Sequence, residues 1–152
     1  MLDFRLAAAY GPFAFAPEAV AYFRPWSSLR AFVKQYFQYA RGDGKANLFF
    51  KRHLIRYFTY FVALPIIIAA VCISSPWWLL ILLIGGAYMV GGPYRRLLRQ
   101  WNDLRPGQKI GAALWVPVLR VVGDLAKMVG YPVGLVWRWR HQPPDWRTVT
   151  PS

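Results

Sequence analysis

The chain has 152 residues, of which 57% are hydrophobic and 16% are charged, and its formal net charge is +13 at pH 7. Most of the hydrophobic surplus lies in one central run, and a soluble domain would have to hide this run in a core that the flanking sequence is too short to build. The basic residues cluster beside the run rather than forming a surface for nucleic acid, which argues against a nucleic-acid partner.

Residues 1–26 have the pattern of a remnant of a soluble domain. The sequence predicts a short helix over residues 2–10, and short strands over residues 13–15 and 19–23. A unit of this size cannot bury enough surface to fold alone. We therefore expect it to pack on a partner surface, either in another chain or in further sequence of the same protein.

Residues 27–54 are predicted to form an amphipathic helix followed by a basic linker. Ser27 or Ser28 is the expected N-cap, and residues 41–45 are expected to end the helix in a tight turn. Basic and polar residues occupy the side opposite the apolar positions, which suits a helix at the membrane interface. The alternative is an ordinary amphipathic helix packed on a protein core. The apolar positions recur at helical spacing: Leu29, Phe32, Val33, Tyr36, Phe37 and Ala40.

Residues 55–94 are predicted to form a transmembrane hairpin of two helices. No Asp, Glu, Lys, Arg or His lies between Tyr57 and Tyr94. A helix needs about 20 apolar residues to cross a bilayer, so the run is long enough for two crossings, over about residues 55–75 and 77–94. Pro65 is expected to kink the first span.

Basic clusters flank the predicted hairpin on both sides. Such clusters mark cytoplasmic ends, so both termini are predicted to be cytoplasmic. They also attract anionic lipid headgroups, which makes the lipid bilayer and its anionic lipids the expected partners. The cluster residues are Lys51, Arg52 and Arg56 before the run, and Arg95, Arg96 and Arg99 after it.

Residues 95–140 are predicted to form a second amphipathic segment at the membrane interface. Arg120, Asp124 and Lys127 share one face, opposite a row of aliphatic side chains, and charges at the bilayer centre would cost several kcal/mol. A turn is expected at residues 130–132, and residues 141–152 are predicted to be disordered. The fold class is therefore a mainly α membrane protein with a short β remnant at its N-terminus.

Generic catalytic patterns are scarce in this sequence. Two histidines and the single Cys72 are too far apart to suggest a zinc or nucleophile site. Residues 35–42, which read Q-Y-F-Q-Y-A-R-G, are more informative. They resemble the Q-x-x-R-W motif of membrane-integrated family 2 glycosyltransferases, such as cellulose and hyaluronan synthases, in which Ala-Arg-Gly often follows. Gln35 matches the motif glutamine, whereas Gln38 replaces its arginine and Tyr39 replaces its tryptophan.

The surrounding sequence is similar to the same family. Residues 13–25 resemble the strand that follows the catalytic helix, and residues 40–46 and 123–128 resemble stretches of bacterial members with short tails. The family's nucleotide-binding GT-A fold, its D-x-D metal motif and its Glu-Asp base precede the portion matched here. Asp3 lies near the expected place of the Glu-Asp motif, either as the catalytic base or as a neighbouring acid.

The resemblance implies the membrane-anchoring portion of an enzyme that moves sugar from a nucleotide donor to a lipid-linked or polysaccharide acceptor. Gln35, Gln38, Tyr39 and Arg41 would then line the acceptor and diphosphate side of the active site, at the bacterial plasma (inner) membrane. A divalent metal, Mg or Mn, is expected for the full enzyme only, and the chain alone is expected to be inactive. The alternative is a small non-enzymatic membrane protein that binds anionic lipid or a partner subunit.

Overall fold

The computed structural model describes residues 6–7, 9–20 and 28–143, which form helices joined by short turns and contain no β-strand. The mainly α fold class is therefore confirmed for this part of the chain. The helices are α1 (Leu29–Ala46), α2 (Phe50–Phe58), α3 (Leu64–Ile73), α4 (Trp78–Arg99) and α5 (Pro106–His141), with a π-helical turn at Thr59–Ala63 and a 3-10 turn at Trp101–Asp103. The chain divides into a first unit, Met1–Phe50 with Ala126–Ser152, and a second unit, Lys51–Leu125.

The predicted strand at residues 13–15 is wrong. Residues 13–16 have no regular structure, and Phe13 and Phe15 are 63% and 89% exposed. A strand is stable only when its backbone groups pair with a neighbouring strand, and the described residues offer none. The short helix before it is helical at its described residues and ends at Gly11, which has a φ of 88°. Asp3 and most of the predicted strand 19–23 lie outside the described residues.

Helix α1 begins where the sequence predicts and ends later. Ser28 is its N-cap, because the Ser28 Oγ accepts a hydrogen bond of 3.2 Å from the Ala31 N–H. The turn predicted at residues 41–45 is wrong, since the helix continues through Gly44 to Ala46. It ends at Asn47, whose φ of 53° is left-handed and whose N–H bonds the Gly44 carbonyl.

The reason that α1 continues is a close crossing with α5 inside the first unit. A Cβ added to Gly44 would lie 2.9 Å from the Gly134 Cα, and one added to Gly130 would collide with the Phe37 carbonyl oxygen. Small residues at such spacing allow two helix backbones to touch. Gly130 and Gly134 are thus contact residues within a continuous helix, and the turn predicted at residues 130–132 is also wrong.

The second unit contains the most apolar part of the chain. The helical stretch Phe50–Ile73 has a mean hydropathy of 2.0 over its best window, with 0% of that window buried, and is long and apolar enough to cross a membrane. Among the described residues it alone meets this test. Its middle is π-helical: the Leu64 N–H bonds the Thr59 carbonyl just before Pro65. Proline has no N–H and displaces the carbonyl four residues earlier, which favours such a local change of register.

Helix α4 follows after a short turn and packs beside this stretch. The Tyr60 hydroxyl donates to the Met89 Sδ at 3.7 Å, and the Tyr94 hydroxyl donates to the Ala113 carbonyl of α5 at 2.8 Å. A short connection makes consecutive helices antiparallel neighbours. The glycines of α4 do not mediate this packing, because a Cβ added at any of them meets no atom within 4 Å. They are Gly85, Gly86, Gly91 and Gly92.

Candidate functional site

The four motif residues lie on one side of α1, which we call the α1 face: Gln35, Gln38, Tyr39 and Arg41. At 3.6 residues per turn, Gln35, Gln38 and Tyr39 lie opposite the residues that pack on α5, and Arg41 lies at the border, with its carbonyl oxygen at the contact with Gly134. Gln38 and Arg41 are exposed, and Tyr39 is 57% exposed. The Gln35 Nε2 donates a hydrogen bond of 2.7 Å to the Tyr39 hydroxyl, so these two side chains hold each other one helical turn apart.

Aromatic contacts continue the α1 face towards α5. The Tyr39 ring meets the Tyr36 ring edge-on, with centroids 6.3 Å apart, and Tyr36 packs on Phe32 at 4.4 Å. The Lys127 Nζ of α5 lies 4.6 Å from the Tyr36 ring centroid. A cation–π contact of this length attracts the ammonium to the ring face. Lys127 was predicted only as part of a polar stripe, and its place beside α1 has no local sequence signal.

The chemistry available on the α1 face is binding rather than proton transfer. A guanidinium and two amides supply hydrogen-bond donors for phosphate or sugar oxygens, and an exposed aromatic ring supplies a stacking surface. Within residues 6–7, 9–20 and 28–143, no group of three His, Cys, Asp or Glu side chains is placed to hold a metal ion. Asp3, the predicted catalytic acid, lies outside these residues.

A buried ion cluster lies in the second unit, where the sequence predicts an exposed polar stripe. The Asp124 side chain is only 4% exposed, and its Oδ1 lies 2.9 Å from the Arg56 Nε. Its Oδ2 lies 3.2 Å from the Arg120 Nε. The Arg56 Nη1 lies 3.1 Å from the Nδ1 of the buried His53, which places the imidazole beside the ion pair.

This cluster corrects the prediction for Asp124. Its carboxylate is buried, with a hydrogen bond from the Arg56 Nε and the charge of Arg120 beside it, because an acid on an apolar helix is buried more favourably when arginines neutralise it. The sequence contains a signal for this cluster. Arg120 lies four positions before Asp124, and Arg56 lies at the start of the apolar run. The cluster joins α2 to α5 within the second unit.

The residues at the end of α5, positions 137–140, have two roles in the first unit. The Arg138 Nη1 donates to the Lys45 carbonyl at 3.1 Å, and the Lys45 Nζ lies 4.2 Å from the Trp137 ring centroid, so both pin the end of α1. Trp139 is 77% exposed, as an interface residue would be. An open groove of about 420 Å³ lies beside them, lined by Asn47, Leu135, Arg138, Trp139, Gln142 and Pro143.

Tyr131 is the buried titratable group of the helix crossing. Its side chain is removed from water between α1 and α5, and it is 2% exposed. Burial disfavours the phenolate, and the carboxylate of Asp43 disfavours it further, so both raise the pKa of Tyr131 above its ordinary value. Tyr131 is therefore a neutral packing residue.

The chain matches no protein-family model, no curated protein and no solved structure. Its function must therefore be inferred from its own residues. Three features bear on it: the exposed α1 face, the apolar stretch Phe50–Ile73, and the basic clusters on either side of the uncharged run.

Proposed function

We propose that the chain is the membrane-anchoring portion of a bacterial family 2 glycosyltransferase, and that the α1 face forms the acceptor and diphosphate side of its active site. The observation that carries this proposal is the orientation of α1. Gln38, Tyr39 and Arg41 are exposed and Gln35 is half-buried, while Gly44 and Phe37 pack against α5. A helix fixed along one side presents the opposite side in a constant geometry, as a binding site requires.

Each motif residue has a distinct role in this proposal. The Arg41 guanidinium and the Gln35 amide bind the diphosphate of the nucleotide donor, since a planar guanidinium matches phosphate oxygens. The Tyr39 ring stacks on the acceptor sugar. Gln38 offers only neutral donors where the motif has arginine, so Arg41 supplies the charge from one turn further along α1.

Anchoring is the role of the apolar helices. Phe50–Ile73 and α4 cross the plasma membrane as a hairpin, and both termini of the chain are cytoplasmic. The basic clusters at Lys51–Arg56 and Arg95–Arg99 bind anionic lipid headgroups at the cytoplasmic surface. The α1 face then meets donor and acceptor at that surface.

The reaction itself needs parts beyond this chain. A GT-A catalytic domain, in preceding sequence or in a separate chain, supplies the nucleotide fold, the Mg or Mn ion and the base that activates the acceptor hydroxyl. Asp3 is that base or an acid next to it. Sugar passes from the nucleotide donor to a lipid-linked or polysaccharide acceptor, and the chain alone is inactive.

The first test is to isolate the native protein from cell membranes and measure its intact mass and its transferase activity. We expect either a mass well above that of these 152 residues or a co-purifying catalytic chain. In that assembly Arg41→Ala should lower kcat/KM for the nucleotide sugar about tenfold to a hundredfold, since a hydrogen bond to a charged group contributes about 1.5–3 kcal/mol. Arg30→Ala, at an exposed arginine in the first turn of the same helix, is the matched control.

The second candidate is a non-enzymatic membrane protein that binds anionic lipid or a partner subunit. The exposed Trp139 and the groove beside Arg138 favour it, because tryptophan and arginine are typical of interfaces with headgroups and with proteins. A native mass equal to that of the 152 residues, without a catalytic partner, would decide for this candidate. Binding to anionic but not to zwitterionic vesicles would then identify lipid as the ligand.

A further inference from the structure

We propose that an exposed apolar stripe on the C-terminal part of α5 is a membrane-docking surface, which lies in the boundary between the headgroups and the acyl chains of an anionic bilayer. We call it the α5 stripe. It belongs to the first unit and uses none of the motif residues of α1, so the inference is independent of the choice between the two candidate functions. Its residues are Val129, Pro132, Val133, Val136 and Trp139.

The α5 stripe lies on the side of the helix that is turned away from α1. At 3.6 residues per turn its five residues fall within an arc of about 120°. All five are exposed, with Val129 at 62%. Gly130 and Gly134, whose backbones touch α1, lie on the other side. The sequence indicates only that residues 95–140 favour an interface, and the crossing with α1 identifies which side of α5 is available for it.

The order of side chains along the stripe matches the layers of a bilayer boundary. None of its five side chains is charged, and Arg140 is exposed on the same side of the helix, next to Trp139. Contiguous apolar patches on a protein surface mark contact sites. Aliphatic groups enter the acyl region, an indole lies at the level of the headgroups, and a long cationic side chain reaches outwards to them.

The charge around the stripe favours an anionic membrane as the occupant. The sequence has no Asp or Glu between Asp124 and Asp145, and the whole chain has a formal net charge of +13. Arg140 and His141 are both exposed at the end of α5. The cytoplasmic leaflet has a negative surface potential, which attracts basic segments beside an apolar contact. An apolar stripe with a basic end is therefore complementary to anionic lipid in both respects.

The chain also holds the end of α5 near a membrane surface. The Arg138 Nη1 donates to the Lys45 carbonyl at 3.1 Å, and the Lys45 Nζ lies 4.2 Å from the Trp137 ring centroid, so the ends of α5 and α1 are joined. The apolar stretch Phe50–Ile73 begins three residues after Asn47, which ends α1. Three residues span at most about 11 Å. A stretch that crosses the membrane therefore keeps this end of the first unit close to the headgroups.

The test is to measure the depth of the stripe in anionic nanodiscs by electron paramagnetic resonance of a nitroxide label on the full chain. Cys72→Ser removes the exposed native cysteine, and Val133→Cys or Val136→Cys then provides a single labelling site. We expect both labels to collide with oxygen and to be shielded from a water-soluble nickel complex, at a depth of about 5–10 Å. Lys34→Cys, at an exposed position of α1 in the same unit, is the matched control and should collide with the nickel complex.

Each other result at the stripe would overturn the inference. Collision of both stripe labels with the nickel complex would show that the stripe faces water. Shielding from both reagents would show that a partner protein or a second copy of the chain covers it. Circular dichroism should give the wild-type helix content for every labelled variant, so that a change of depth cannot arise from unfolding.

A second comparison tests the preference for anionic lipid. The Val136→Cys label should lie deeper in anionic than in zwitterionic nanodiscs, and Arg140→Gln should reduce this difference because it removes the charge next to the stripe. Arg30→Gln, at an exposed arginine at the start of α1, should leave the difference unchanged. Equal depth in the two lipids would overturn the role of charge, and an unchanged difference in Arg140→Gln would exclude Arg140 as its source.

Discussion

Three glycines of the first unit, Gly44, Gly130 and Gly134, and the four glycines of α4 in the second unit have opposite surroundings. At Gly44, Gly130 and Gly134 an added Cβ would meet the backbone of the opposite helix at 2.9 Å or closer. At Gly85 and its α4 counterparts an added Cβ meets nothing within 4 Å. The same residue type thus makes a tight helix crossing in one unit and only an open surface in the other. What decides between them is whether a second helix lies opposite.

The contacts that stabilise each unit internally also differ between the two units. In the first unit, backbone contact and the bond from Arg138 to the Lys45 carbonyl join the ends of α1 and α5. In the second unit, the Asp124 cluster is a buried polar contact between helices whose apolar side chains are mostly exposed. Changing one contact in each unit separates these two modes of stabilisation.

The largest effect is expected at Asp124. Asp124→Ala leaves the half-buried Arg56 without its carboxylate, and breaking a buried ion pair costs about 3–5 kcal/mol. Equilibrium unfolding in mixed micelles, followed by circular dichroism, measures the loss. Asp103→Ala, at an exposed acid in the same unit, should change the free energy of unfolding by less than about 0.5 kcal/mol. Equal free energies of unfolding for the two variants would show that the ion cluster does not stabilise this unit.

A smaller but sharper effect is expected at the helix crossing. Gly134→Ala forces a methyl group onto the Arg41 carbonyl oxygen and should destabilise the protein by about 1–3 kcal/mol. Gly86→Ala adds the same group in open space and should be neutral or stabilising by up to about 1 kcal/mol, since alanine is the better helix former. The difference in the free energy of unfolding between these two variants measures how strongly the helix crossing excludes a methyl group. A stabilising Gly134→Ala would contradict the crossing.

The start of α1 should contribute about 1 kcal/mol. Ser28→Ala removes the side-chain oxygen that accepts from the Ala31 N–H, and loss of an N-cap costs about 0.5–2 kcal/mol. Ser28→Asn keeps a capping oxygen and is the matched control. Thermal unfolding of the two variants is the measurement. If Ser28→Ala unfolds at the same temperature as the wild type, the cap does not contribute to the stability of α1.

The smallest effect at neutral pH, and a selective one at high pH, is expected from Tyr131→Phe. Because the folded-state pKa of Tyr131 is raised, the unfolded chain loses this proton first, and stability should fall as the pH rises above about 10. Below that pH the contribution is fully present. Tyr131→Phe should reduce this alkaline loss, and Tyr10→Phe, at a tyrosine that is 86% exposed, should not. Unfolding curves across alkaline pH provide the measurement.

Local signals in the sequence predicted local structure well. Ser28 as N-cap, the apolar run and the amphipathic pattern of α1 each depend on residues within a few positions. The contacts between helices depend on residues that are far apart in the sequence. Arg56 and Asp124 are separated by 68 positions, and Arg138 and Lys45 by 93. Glycine is common both in turns and at close helix contacts. The turns predicted around Gly44 and Gly130 were wrong because these glycines contact a helix that is distant in the sequence.

The π-helical turn at Thr59–Ala63 has a consequence for how this stretch tolerates change in length. A bond from residue i to i+5 accommodates one residue more than an α-helical turn does, so the turn holds an extra residue without rotating the helix that follows it. Removing one residue there would restore a continuous α-helix and leave α2 and α3 in nearly the same orientation about the helix axis. Single-residue deletions in this turn should therefore preserve both the helicity and the set of α3 side chains that face α4, whereas a deletion within α3 itself would rotate the residues on one side of it by about 100°.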